Sequence, residues 1–208
     1  MALSIAATAA GGIDLQIGVH HGSSAAEIGV SGSIEVGSFQ GDERELSRVF
    51  LADLQPVLLI DTDDRRLTGM FELHGTARVV NARTGLASLI EFAVLDADNI
   101  GDQDDIELRL ASTLAVRSGD TLSFVGISDI DLAINHFGLG PFNATDFIPG
   151  QATLSSLTLF DERSAISSIG APAAGVVRVI AMPGPSTAAA LFAFAGVGVA
   201  RRTRPSRR

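Results

Sequence analysis

The densest group of side chains that could do chemistry is an acidic segment at residues 96–105, which surrounds Gly101. Carboxylate and amide oxygens in a glycine-containing loop suit Ca²⁺, which takes about six to eight oxygen ligands. The segment is not an EF-hand loop, because Ile100 stands where a ligand should fall and no Glu occupies the twelfth position. The alternative is a solvated hairpin loop whose acids keep a sheet edge soluble. The candidate calcium ligands are Asp96, Asp98, Asn99, Asp102 and Asp104.

The sequence offers weaker evidence for a catalytic site than for a calcium site. A secreted hydrolase that uses Asp96, Asp98 or Asp102 is an alternative, since glycosidases need a pair of carboxylates. The chain has no Trp or Tyr, the side chains on which sugar rings usually stack, and this argues against a sugar-binding cleft. It has no Cys, no H-E-x-x-H and no G-x-S-x-G pattern, which excludes thiolate chemistry and two common hydrolase signatures. We therefore expect a protein that is not an enzyme.

The charge of the chain is distributed unevenly. Of its 208 residues, 24 are Asp or Glu and 15 are Arg, with no Lys, so the formal net charge is -9. An acidic balance excludes nucleic acid as an expected partner, because phosphate binding needs a basic surface. Residues 1–200 carry 10 arginines against 24 acids, a formal charge of -14. The remaining five arginines crowd the C-terminus: Arg201, Arg202, Arg204, Arg207 and Arg208.

Residues 182–208 form a segment with three ordered parts. Two prolines and a glycine come first, followed by an uncharged apolar run at residues 188–200 and then by the arginines. We expect the apolar run to form a helix of about 22 Å from residue 186 to 200, which is short for a hydrocarbon core of about 30 Å. The arginines would stay on the cytoplasmic side of a membrane. The proline-rich part is Pro183, Gly184, Pro185, Ser186 and Thr187.

This order of parts resembles the PEP-CTERM sorting signal of exported bacterial proteins. Pro183 and Pro185 match the signature of that family, and Gly184 stands where the family has Glu. The resemblance implies an exosortase-type membrane transpeptidase as partner, an anchor in the membrane, and a role at the cell surface or in extracellular polymer, with polysaccharide as a candidate ligand. A plain C-terminal anchor or a buried last helix is the alternative interpretation.

Residues 1–10 resemble the end of an export signal. Ala7, Thr8 and Ala9 form an A-x-A-like cleavage site, whereas a cationic n-region and most of an apolar run are absent. We interpret the segment as a remnant or truncated export signal. The alternative is an Ala-rich terminus without a targeting role.

Residues 11–181 must position any site, and most of them alternate between apolar and polar side chains. This period of two indicates half-buried strands, and glycine- and proline-containing turns separate ten to twelve of them. We predict one all-β domain, an antiparallel β-sandwich of jelly-roll type. Residues 42–54 are the exception, because their apolar spacing favours a short helix that Pro56 would end. Its apolar stripe is Leu46, Val49, Phe50 and Leu54.

We expect this body to be structural or adhesive. A calcium-stabilised binding module is the alternative function. The hydrolase described above is the less favoured third interpretation.

Overall fold

A computed structural model of the protein describes residues 11–58, 67–95, 105–134, 142–170 and 173–183. These residues form twelve strands and one short 3-10 helix, so the all-β prediction is confirmed. The elements are β1 (Gly12–His20), β2 (Ala25–Glu35), β3 (Arg44–Gln55), β4 (Leu67–Phe71), β5 (His74–Gly75), β6 (Arg78–Asn81), β7 (Ala87–Leu95), β8 (Asp105–Val116), β9 (Thr121–Asp131), the 3-10 helix (Ala144–Asp146), β10 (Gly150–Phe160), β11 (Ala165–Gly170) and β12 (Gly175–Met182).

The strands join into one closed sheet. Neighbouring strands run in the order β10, β12, β1, β2, β9, β6, β7, β8 and β3, and β3 pairs again with β10. Three short strands lie between β7 and β9: β6 pairs with both, β4 pairs with β7, and β5 pairs with β9. Strand β11 pairs with β10. The predicted sandwich of two packed sheets is therefore wrong, because the ring of nine strand positions leaves no break at which two sheets could separate.

One pair of strands in the ring is parallel, which the prediction of an antiparallel sheet did not include. Strand β12 runs beside β1 from Ile13 opposite Gly175 to His20 opposite Met182. The first and last strands of the body therefore lie side by side. The chain enters β1 at one end of the sheet, and β12 ends at the other.

The predicted helix at residues 42–54 is instead strand β3. Its inward-facing side chains are Leu46, Val49, Leu51 and Leu54, all fully buried. Their spacing of three, two and three residues imitates a helix because the strand is irregular. The register with β8 shifts between Leu46 and Arg48, and Asp53 has a positive φ of 51°. Each irregularity moves the next inward side chain by one position.

The core fills the inside of the closed sheet with aliphatic side chains and a group of phenylalanines. Phe71 stacks on Phe92 with ring centroids 6.3 Å apart, and Phe142 meets Phe71 edge-on at 5.4 Å. Two glycines allow the backbones of adjacent strands to approach closely. A Cβ on Gly175 would lie 2.0 Å from the carbonyl oxygen of Ile13, and one on Gly32 would lie 2.2 Å from that of Gly12.

The described residues contain no helix long and apolar enough to cross a membrane. The predicted apolar helix at residues 188–200 lies outside the described residues, as does the export-signal segment at residues 1–10.

Candidate functional site

Nearly all of the site residues predicted from sequence lie outside the described residues, and Pro183 is the exception. Within the described ranges, no group of three or more His, Asp or Glu side chains could hold a metal ion. The calcium prediction thus stays a prediction. The residues outside are Asp96, Asp98, Asn99, Asp102, Asp104, Gly184, Pro185, Ser186, Thr187, Arg201, Arg202, Arg204, Arg207 and Arg208.

Pro183 follows β12 directly and lies against the turn between β1 and β2. The backbone N–H of His21 donates to the carbonyl oxygen of Met182 at 3.1 Å. His20 Nδ1 lies 3.3 Å from the carbonyl oxygen of Pro183, and His20 Nε2 lies 3.7 Å from a carboxylate oxygen of Glu27. The first residue of the predicted sorting motif is therefore adjacent to the sheet, with no linker between them.

An apolar cavity lies beside this junction. It has a volume of about 420 Å³, and its lining includes Val19, His21, Phe147, Pro149 and Ala181. Of the described residues that line it, His21 alone has a titratable side chain. A cavity of this composition has few convergent polar groups with which to orient a ligand.

A more polar cavity lies on the outer face of the sheet, where β10, β3, β8 and β7 are neighbours. Cross-strand register places four outward side chains in one row across these strands, in the order Phe160, Arg48, Arg109 and Glu91. The adjacent row includes Glu107, which is only 4% exposed. Two cations and two carboxylates therefore meet within two rows of one surface.

Glu107 is the buried centre of this group. Arg109 Nε donates to Glu107 Oε1, and Arg48 Nη1 lies 3.6 Å from Glu107 Oε2, beyond hydrogen-bonding distance. The Arg48 guanidinium also lies 4.9 Å from the centroid of the Phe160 ring, in cation–π geometry. One carboxylate thus holds two arginines, whose side chains remain 38% and 34% exposed.

The cavity above this group has a volume of about 330 Å³. Arg48 and Arg109 line it together with Ser47, Met70, Glu91, Leu110 and Glu162. Arg109 Nη1 donates to the sulfur of Met70 at 3.3 Å, and a thioether sulfur is a weak acceptor. Among the described residues, the cavity therefore combines arginine N–H groups without an acceptor, two carboxylate acceptors and two apolar side chains, a set that can bind a small polar ligand.

Comparison with protein-family models, curated proteins and solved structures found no match to this chain. The function of the cavity must therefore be inferred from the chemistry of its own side chains.

None of the side chains that line the cavity was a candidate site residue from sequence. Arg48 lay in the segment predicted as a helix, and Glu107 and Arg109 matched the solvated face of a strand. Opposite charges at positions 107 and 109 of one strand face were the available signal.

Another buried carboxylate, Asp120, forms a different kind of cluster in the turn between β8 and β9. It accepts hydrogen bonds from Arg83 Nε at 2.6 Å, Arg83 Nη2 at 3.1 Å, Asn81 Nδ2 at 2.7 Å and the N–H of Arg117 at 2.9 Å. The pKa of Asp120 is lowered to about 2, and the hydrogen bonds from Arg83 are the largest cause. The same contact raises the pKa of Arg83.

Proposed function

We propose that this chain is an exported bacterial protein of the cell surface or extracellular matrix, with a structural or adhesive body that is not an enzyme. In this proposal, residues 182–208 are a PEP-CTERM-like sorting signal that an exosortase-type membrane transpeptidase reads. The apolar run at residues 188–200 and the five terminal arginines hold the chain in the membrane, transiently or permanently.

The observation that carries the proposal is the junction between β12 and the motif. Strand β12 ends at Met182, and Pro183 is the next residue. Contacts from His20 and His21 hold both residues against the body. A protein whose last strand leads straight into a membrane segment keeps its folded part close to the membrane surface. The five arginines after the apolar run support an orientation with the body outside, because arginines that flank a membrane segment stay on the cytoplasmic side.

The test is localisation of the full chain and three variants in the cells that encode it. The first variant lacks residues 183–208, the second carries Pro183→Ala and Pro185→Ala, and the third, Arg78→Gln, is a matched control on the exposed surface. We expect the full chain and the control at the cell surface, and loss of surface display from the first two.

The two tail variants separate the sorting signal from a plain anchor. If the double proline variant is displayed normally while the deletion variant is not, the segment is an anchor and the sorting proposal is wrong. If the deletion variant also stays at the surface, both ideas fail.

A calcium-stabilised binding module is the second candidate, and one feature of the sheet favours it. Leu67, Leu95 and Asp105 lie opposite one another on β4, β7 and β8. The acid-containing segments 59–66 and 96–104 therefore leave the sheet at neighbouring positions. Thermal melts with Ca²⁺ and with a chelator test this candidate, since saturation at 100 times the dissociation constant adds about 2.7 kcal/mol. Identical melting temperatures would exclude it.

A further inference from the structure

The cavity above Glu107 has the composition of a binding site for a polyhydroxylated ring. We propose that it binds one sugar unit of a neutral polysaccharide, with Arg48 and Arg109 as donors and Glu91 and Glu162 as acceptors. This ligand class deepens the adhesive part of the proposed function. It does not depend on the tail, so failure of the sorting test leaves it standing.

The donors of the site are arginine N–H groups that have no acceptor among the described residues. Arg109 makes one charge-assisted hydrogen bond to Glu107 and one weak contact to Met70. The Arg48 side chain makes no hydrogen bond within the described part of the chain and contacts Glu107 only at 3.6 Å. A guanidinium carries five N–H donors, so both side chains have donors left for ligand oxygens. The buried Glu107 and the Phe160 ring fix where these donors lie.

The charge of the wall decides between a neutral and an anionic ligand. Among the described residues, the two arginines that line the cavity are matched by Glu91 and Glu162, and Glu107 lies beneath them. An anionic polymer would gain from the arginines and be repelled by these carboxylates. Sugar hydroxyls both donate and accept, so a neutral ring can satisfy both sets at once.

The size and the apolar part of the cavity fit the same ligand. A volume of about 330 Å³ is at the lower end of the range for small-molecule sites, about 300 to 1,000 Å³. Met70 and Leu110 provide apolar surface for the C–H face of a ring. Without Trp or Tyr the site has no large stacking platform, so we expect binding of single units to be weak and repeated units of a polymer to strengthen it.

The test is affinity electrophoresis of the full chain in native gels that contain a soluble neutral polysaccharide. Dextran, a mixed-linkage β-glucan and a galactomannan are the probes, with alginate and an acidic peptide conjugate as anionic comparisons. We expect retardation by at least one neutral polymer. In ¹⁵N-resolved NMR spectra, the Nε–H resonance of Arg109 should shift on addition of the oligosaccharide from that polymer.

Two variants test the site itself, and Arg78→Gln on the exposed surface of β6 is the matched control. Arg48→Gln and Glu91→Gln should each weaken binding at least tenfold, while the control binds like the natural chain. The proposal is overturned if none of the neutral polymers retards the protein, if only alginate or the peptide conjugate does, or if both cavity variants bind unchanged. Circular dichroism of each variant shows that the fold is kept.

Discussion

Asp120 and Glu107 are both buried carboxylates held by arginine, yet the protein surrounds them differently. Asp120 accepts four hydrogen bonds, from Arg83, Asn81 and the backbone of Arg117. Glu107 accepts one from Arg109 and has a second arginine at 3.6 Å. We call the Asp120 cluster saturated, because both oxygens of its carboxylate accept hydrogen bonds, and the Glu107 cluster unsaturated, because Arg48 lies beyond hydrogen-bonding distance and an open cavity lies above it. A saturated cluster stabilises the fold, and an unsaturated one can bind a ligand.

The largest effect should come from removing the saturated carboxylate. Asp120→Ala leaves Arg83, Asn81 and the backbone N–H of Arg117 without their acceptor, and losing a charged hydrogen-bond acceptor costs about 3 kcal/mol. Urea unfolding followed by circular dichroism measures the loss, since the chain lacks Trp and Tyr. Asp42→Ala, at an exposed acid on the loop before β3, is the control and should change stability by less than about 0.5 kcal/mol. Equal stability of the two variants would contradict the structural role of Asp120.

The same carboxylate should make stability depend on acid. Because the pKa of Asp120 is about 2 in the folded protein and 3.8 for an unperturbed aspartate, its contribution is complete above the unfolded value. It is lost as the pH falls from about 4 towards 2, and it amounts to about 2 kcal/mol.

Asp131 and Asp161 also have lowered pKa values, chiefly from the Ser24 hydroxyl and the Arg163 backbone N–H respectively. They contribute a pH dependence of the same sign, so the measurement must compare two proteins. The difference in unfolding free energy between the natural chain and Asp120→Asn should shrink over this pH window. A constant difference would assign the acid sensitivity to other groups.

A smaller loss is expected at the unsaturated carboxylate. Glu107→Gln keeps an acceptor for Arg109 and removes a charge whose two arginine partners are partly exposed, so we expect a loss of about 1 kcal/mol. Urea unfolding at neutral pH provides the number. A loss as large as that of Asp120→Ala would show that Glu107 is equally structural and would remove the contrast between the clusters.

The smallest effect should follow Arg48→Gln. Its contacts are an ion pair at 3.6 Å and a cation–π contact with Phe160, which together contribute about 0.5 kcal/mol at a partly exposed position. Arg83→Gln is the matched change in the saturated cluster and should cost several times more. If the two arginine variants lose the same stability, Arg48 is held as firmly as Arg83. That result would contradict the claim that Arg48 has free N–H donors for a ligand.

The regular strands could be predicted from sequence because their side chains alternate without interruption. Ile13, Leu15, Ile17 and Val19 on β1 are all buried, as their period of two predicts, but the other face of β1 is buried as well. Strand β3 could not be predicted in this way, because its bulge and the positive φ of Asp53 interrupt the alternation of buried and exposed side chains. Tertiary pairing with β8 and β10 decides the conformation there.

Neither the closure of the sheet nor the cavity could be predicted from local sequence patterns, for a related reason. A strand with one buried face looks the same in a sandwich and in a closed sheet, and only the pairing of β3 with β10 distinguishes them. Arg48 and Arg109 lie 61 positions apart and become neighbours only through the register of β3 on β8. Sequence reasoning therefore found the acidic segment at residues 96–105, whose residues are contiguous, and missed a site assembled across strands.

The position of β12 also has a mechanical consequence. A tether that continues from Met182 would apply force along the axis of β12, which pairs with β1 over eight residue pairs and with β10 over four. Such a load acts parallel to the strand, so hydrogen bonds on both edges resist it together and cannot be peeled away one at a time. The last strand is thus oriented to carry tension between the folded body and whatever holds its C-terminal end.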